Sequence, residues 1–151
     1  MIPADLERFV ESHRRVAIDT SPLIYWLEKH PRYFELSKHI FDLTESNRVQ
    51  TVTSTLTLTE VLVLPYRKKD WENVHRIYVV LDNYPHLEWI PPTLEIAGQA
   101  ARIRAAHNLK TPDAIQAATA ILSGSTGFIS NDPIFRRVPS LDVLILDEML
   151  Q

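Results

Sequence analysis

Short apolar runs alternate with helical spacings along this chain. Val16-Ala17-Ile18 forms the first run, a strand over 15–19. Ser21-Pro22 then supplies a capping serine and a proline for the first helical position. Leu23, Ile24, Trp26 and Leu27 carry that helix towards His30-Pro31. Phe34, Ser37, Ile40 and Phe41 share one face of a second helix over 33–44. Residues 49–53 alternate as a short strand, and Ser54 or Thr55 opens a helix that ends near Pro65. A more polar helix over 70–83 sets Trp71, Val74, Tyr78 and Leu81 on one side. Residues 87–90 form a strand stopped by Pro91-Pro92. Thr93 caps a helix that runs to about His107. Thr111 caps the next, with Pro112 at its first position, and this one runs to about Leu122. Residues 127–130 and 143–146 complete about five short strands.

Strands alternating with helices predict an α/β fold, a mainly parallel sheet with helices on both faces. Short, continuously apolar strands fit burial on both sides. With 151 residues and neither repeat nor linker, one domain spanning 1–151 is expected.

Composition removes several function classes. The chain has no cysteine, which excludes disulfides, thiolate metal sites and a thiol nucleophile. The longest uncharged run, 114–131, is broken by Ser123-Gly124-Ser125-Thr126-Gly127 and is no membrane span. The first residues, Met1-Ile2-Pro3-Ala4-Asp5, lack the apolar core of a signal peptide. A cytoplasmic protein without membrane contact is expected. A net charge of −3 argues against a general nucleic-acid coat, but not against an enzyme with a local basic rim. The six histidines are dispersed without metal spacing.

Asp19, Glu60, Asp113 and Asp132 stand beside apolar segments. An ionised carboxylate there is costly unless it is paired or holds a cation. Asp19 and Asp132 both follow strand ends, where the ligand crevice of an open α/β sheet lies. Glu60 shares a helical row with Leu56 and Leu64, so it points along an apolar stripe. Asp113 lies in the first turn of a helix whose small residues, Ala114 to Ala120, allow close approach to the sheet. Three of them have a plainer alternative: a glutamate at the stripe edge for Glu60, a dipole-stabilised aspartate for Asp113, an Asn-Asp-Pro turn for Asp132. If the fold brings the four together, their repulsion calls for a divalent ion.

Ile18-Asp19-Thr20-Ser21, Thr59-Glu60-Val61, the segment from Thr111-Pro112-Asp113 to Ala120, and Ser130-Asn131-Asp132 resemble the ordered acidic motifs of PIN domains. The nearest subgroup is the VapC-type ribonuclease toxins of toxin–antitoxin pairs. The resemblance covers nearly the whole chain. It implies a three-layer α/β/α fold and a metal-dependent endoribonuclease. Asp19, Glu60, Asp113 and Asp132 would form the acidic metal site. Thr20, Ser21, Ser130 and Asn131 would orient ligands or the scissile phosphate. One departure stands out: Pro133-Ile134-Phe135-Arg136-Arg137 supplies no further acid where many members have one.

A cysteine-free carboxylate set suits Mg2+ or Mn2+ better than zinc. RNA would need local positive charge; Arg136, Arg137 and Lys110 are the nearest candidates. Arg102, Arg104 and the Arg67-Lys68-Lys69 cluster are further ones. Each could equally be a solvated or ion-paired side chain. By resemblance, a homodimer and an antitoxin blocking the acidic crevice are expected partners. Two other classes compete. A phosphoacceptor regulatory domain would want adjacent acids near the first strand and a late lysine, which this chain lacks. A non-catalytic PIN-like scaffold would have no need of four intact acids.

Overall fold

The computed structural model describes residues 4–150, so the expectations about residues 1–3 and the outer limits of the 1–151 domain lie outside the described residues. The chain opens with helix α1 (Ala4–His13), followed by β1 (Arg15–Ile18), α2 (Thr20–Leu27), α3 (Phe34–Glu45) and β2 (Gln50–Ser54). Then come α4 (Thr55–Arg67), α5 (Trp71–Asp82), β3 (Leu87–Ile90), α6 (Leu94–His107) and α7 (Thr111–Leu122). β4 (Gly127–Ser130), a 3-10 turn (Pro133–Arg137), β5 (Asp142–Ile145) and a last 3-10 turn (Leu146–Leu150) end it.

The strands form one sheet in the order β3-β2-β1-β4-β5. Every pairing is parallel, from Val16 opposite Thr51 and Gly127 to Ser130 opposite Ile145. The chain therefore winds outward from β1 through β2 to β3, then returns to the other side of β1 for β4 and β5. That reversal leaves a crevice beyond the carboxyl ends of β1 and β4.

Alternation along the strands splits the core into two layers. Val16, Ile18, Ile129 and Leu144 pack with Leu6, Val10, Leu23, Ile40, Phe41 and Val61 from α1 to α4. Ala17, Val52 and Phe128 point the other way, onto Ile96, Ala100 and Ile103 of α6 and Ala114, Ala117 and Ala118 of α7. The expected three-layer architecture is thus present. The alanine face of α7 has no bulk to hold it off the sheet. Phe128 is fully buried against Phe135, and its truncation to alanine would cost about 3–5 kcal/mol.

Several local expectations need correction. Helix α1 had no apolar run to announce it, yet it is docked on the sheet. Gly127 makes room for it: a Cβ there would lie 2.8 Å from the His13 ring. His13 bonds Thr126 Oγ1 at 2.7 Å and Asp142 Oδ2 at 2.8 Å. Helix α2 starts two residues earlier than a Ser21 cap suggests, because Asp19 is its cap. Thr111 does not cap α7; Lys110 holds the cap position, and the Thr111 hydroxyl accepts from Arg104 at 2.7 Å instead. Helix α4 continues through the buried Pro65 to Arg67. Its inward residues are Thr57, Val61, Leu62 and Pro65, so the Leu56–Glu60–Leu64 row flanks the core and is not its centre. On α5 the buried face is Val74, Ile77 and Leu81. Trp71 is 61% exposed and meets Tyr66, so it is not a packing residue of that core.

Candidate active site

Two strand-to-helix passages, after β1 and after β4, bring Asp19 and Asp132 to the crevice. Asp19 follows β1 and caps α2. Its Oδ1 accepts from the Ser21 amide at 3.3 Å and the Ser21 hydroxyl at 3.0 Å. Its Oδ2 accepts from the Ser130 hydroxyl at 2.7 Å. Ser130, buried at the end of β4, uses the same oxygen to accept from the Asp132 amide at 3.0 Å. One serine therefore links the acid after β1 to the turn that carries the acid after β4. The Asp132 carboxylate caps that turn, accepting from the Ile134 amide at 3.0 Å.

Asp113 and Glu60 arrive on helices, and buried polar side chains one turn from each lock the helices together. Gln116 of α7 donates to Thr57 Oγ1 of α4 at 2.8 Å. Thr57 and Thr53 hydroxyls lie 2.8 Å apart, and Thr53 donates to the Ile18 carbonyl at 2.9 Å. Thr53 spends its only proton on that carbonyl, so Thr57 donates to Thr53 and the chain runs in one direction. It starts three residues after Asp113, passes three residues before Glu60 and ends on the residue before Asp19.

The electrostatics show the four acids sharing one field. Burial pushes Asp19 up to about 6, against the stabilising Ser130 and Ser21 bonds, and Asp113 adds repulsion. Glu60, though open to solvent on one side, is raised by partial burial and by Asp113, while Thr20 pulls it down. Asp113 is raised by partial burial and by Asp132, and Lys110 opposes this. Asp113 is thus the common neighbour of the other three. Lys110 is the cation that acts on it.

The remaining positions singled out in the sequence divide. Thr20 Oγ1 is buried with no hydrogen bond of ordinary geometry among the described residues, yet lies near enough to Glu60 to favour its charge. Ser21 and Ser130 spend their hydroxyls on Asp19. Asn131 spends its amide inside the fold: Nδ2 donates to Tyr25 Oη at 3.0 Å and Oδ1 accepts from the Asp147 amide at 2.8 Å. Arg136 forms a two-point pair with Glu148, both bonds 2.6 Å, and Arg137 donates to the Asn108 carbonyl at 3.2 Å. Of the three expected RNA-binding cations, only Lys110 is placed against the acids. Thr57, Gln116 and Tyr25 carry the arrangement, and the first two were not assigned to it from sequence. The signal for the first two was a polar residue on an inward helix row one turn from an acid.

The donor set suits a hard divalent cation. It offers carboxylates under mutual repulsion and one buried hydroxyl oxygen beside Glu60, with no sulfur or histidine. Among the described residues, however, no three acidic or histidine side chains converge tightly enough to encage an ion. An ion here would keep part of its water shell, as magnesium commonly does.

The PIN domain model matches residues 16–141, from β1 to the threshold of β5. The chain belongs to the PIN domain family. All four acids of this PIN domain fall within the matched span. No curated protein matches the chain by sequence. Among solved structures, a toxin–antitoxin complex from Klebsiella pneumoniae contains a chain 25% identical to this PIN domain. It superposes with a TM-score of 0.67 over 85% of this chain and 95% of that one. VapBC2 from Rickettsia felis, bound to a DNA fragment from its promoter, gives 20% identity and a TM-score of 0.70 over 87% and 98%. DNA-bound VapBC from Salmonella typhimurium gives 21% and 0.64 over 87% and 98%. At these identities the two VapBC likenesses establish a shared fold.

Proposed function

We propose that this PIN domain is a divalent-metal-dependent endoribonuclease that hydrolyses RNA phosphodiester bonds, and that it acts as the toxin of a toxin–antitoxin pair. The observation that carries the reading is the hydrogen-bonded frame under the acids: Ser130 ties Asp19 to the Asp132 turn, and Gln116 ties the helix of Asp113 to the helix of Glu60. Nature seldom gathers four acids at a strand-end crevice without a cation to relieve them.

Asp19 and Asp113 would hold Mg2+ or Mn2+ directly. Glu60 and Asp132 would bind through water or complete the site. A bound ion would polarise the scissile phosphate and lower the pKa of its water. The chain's own residues supply the rest. Ser21 and Ser130 fix the Asp19 carboxylate, so both its oxygens are held before any ligand enters. Lys110 offsets part of the negative field at Asp113. Thr20, buried beside Glu60, presents an oxygen to whatever Glu60 holds.

The antitoxin part rests on the likeness to toxin–antitoxin complexes and on a cleft of about 360 Å³ between α2, α4 and α5. Ile24, Leu27, Val61 and Leu64 give it apolar walls, and Glu28, Asp70, Lys68 and Arg76 line it with both signs of charge. Leu64 belongs to the same helical row as Glu60. A peptide lying there would run towards the acids, and a basic side chain from it would neutralise them.

The test is cleavage of a structured RNA panel by wild type with Mn2+, beside Asp113→Asn and chelated samples. Cleavage lost in both controls supports the reading. Equal cleavage by wild type and variant refutes the site assignment. Manganese binding without cleavage of any RNA would favour a scaffold.

A further inference from the structure

We propose that the Tyr25 hydroxyl is a substrate-binding donor for a phosphate oxygen of RNA at the edge of the acidic crevice. This rests on the nuclease reading and adds a residue that the acidic motifs do not contain.

The direction of the hydrogen bonds carries the inference. The backbone N–H of Asp147 faces one end of the Asn131 amide at 2.8 Å. A backbone N–H can only donate, so that end is the amide oxygen, and the amide nitrogen faces Tyr25 Oη at 3.0 Å. The phenol oxygen therefore accepts. Its own proton points away from Asn131, and among the described residues no group takes it. A half-buried phenol with an unspent proton and an engaged lone pair is a polarised donor. An anionic oxygen is its best partner, because a bond to charge is about twice as strong as a neutral one.

The placement suits a substrate contact. Tyr25 lies on α2, the helix capped by Asp19. Asn131 lies between Ser130, which donates to Asp19, and Asp132. The hydroxyl is thus fixed to the turn that joins two of the acids. The ring is held as well. Its centroid lies 4.6 Å from Tyr33 and 4.9 Å from His30. His30 Nδ1 accepts the Arg32 and Tyr33 amides at 3.1 and 3.3 Å, which fixes the imidazole. Tyr33 and Arg32 both bond Asp147 Oδ1, at 2.7 and 3.1 Å, so these two partners already engage that carboxylate oxygen. A rigid donor binds without first being ordered.

Tyr25→Phe keeps the ring and removes only the hydroxyl. In the full chain carrying Asp113→Asn, binding of a fluorescein-labelled, mixed-sequence single-stranded RNA in Mn2+ should weaken about tenfold or more when Tyr25→Phe is added. In the otherwise wild-type chain, Tyr25→Phe should raise KM by a similar factor, with manganese affinity unchanged and only a small fall in melting temperature from the Asn131 amide that loses its acceptor. Unchanged RNA binding and KM overturn the inference. A fall in manganese affinity with KM constant also overturns it, because Tyr25 would then merely position the Asp132 turn. If wild type cuts no RNA, the nuclease reading fails and this inference falls with it. Cleavage by wild type with KM unmoved by Tyr25→Phe leaves the nuclease reading standing and removes only this one.

Discussion

Gln116 donates to Thr57 Oγ1 at 2.8 Å, and this one bond joins the helix of Asp113 to the helix of Glu60. Both side chains are buried, Gln116 at 3% and Thr57 at 0% exposure, so neither has water as a substitute. The spacing between two acids that repel each other is thus set from below by a neutral pair.

Thr57→Val therefore does more than remove a hydroxyl. It leaves the Gln116 amide buried without its acceptor and Thr53 without its donor. We expect a loss of about 1–3 kcal/mol in urea unfolding, together with reduced manganese-dependent cleavage under conditions where the variant is fully folded. Gln116→Leu, which removes the amide as well, should cost less stability than Thr57→Val. The reverse order would show that the two side chains are not coupled as described.

Asp19 should be a residue whose charge the metal-free protein tolerates poorly. Its pKa is raised to about 6 by burial, well above its unfolded value. The folded state then binds more protons than the unfolded state across the window from about 3.9 to 6, so stability falls as pH rises through it. Above that window the penalty is complete, on the order of 2–3 kcal/mol. Asp19→Asn keeps the helix cap and lets Ser130 accept instead of donate. In chelated buffer it should unfold at higher denaturant than wild type at pH 7.5, with the gain absent at pH 4, while cleavage is abolished. A variant less stable than wild type at pH 7.5 would contradict this.

Removing the common neighbour should relax the others. Asp113→Asn deletes a repulsion that raises both Asp19 and Glu60. Carboxyl titration by NMR in metal-free protein should show the Asp19 midpoint move down from about 6, with Glu60 moving the same way. An unmoved pair would mean that the acids do not share one field.

The cations near the crevice should behave unequally. Arg136 is already engaged by Glu148 through two bonds, so Arg136→Ala should barely change RNA affinity. Lys110 acts on Asp113 directly. Lys110→Ala should weaken RNA binding and reduce its salt dependence by about one counterion. Fluorescence anisotropy across a salt series distinguishes the two; equal effects would mean that the Glu148 pair opens on binding.

Much of this arrangement was legible in the sequence because strand ends announce themselves. Val16-Ala17-Ile18 before Asp19 and Phe128-Ile129-Ser130 before Asp132 fixed both the strands and the side of the sheet from which the acids project. Asp113 could be placed because Ala114, Ala117 and Ala118 leave α7 nothing to hold it off the sheet. Glu60 was harder. A row of Leu56, Glu60 and Leu64 looks like a core stripe, but the neighbouring row of Thr57, Val61 and Pro65 took the core, since the threonine hydroxyl found Gln116. Asn131 looked free to orient a phosphate, and its partners Tyr25 and Asp147 are too distant in sequence to be foreseen. Helix α1 escaped notice because its two buried residues, Leu6 and Val10, stand among charges. The pairing of Arg136 with Glu148 required knowing that the last 3-10 turn folds back beside the Pro133–Arg137 turn.

The most direct measurement titrates Mn2+ into wild type and Asp113→Asn while recording bound manganese and RNA cleavage on the same samples. The account predicts that cleavage by wild type rises with manganese occupancy, and that Asp113→Asn loses both together. Cleavage that persists in Asp113→Asn, or that proceeds in chelator, would contradict a carboxylate-held metal ribonuclease at this crevice.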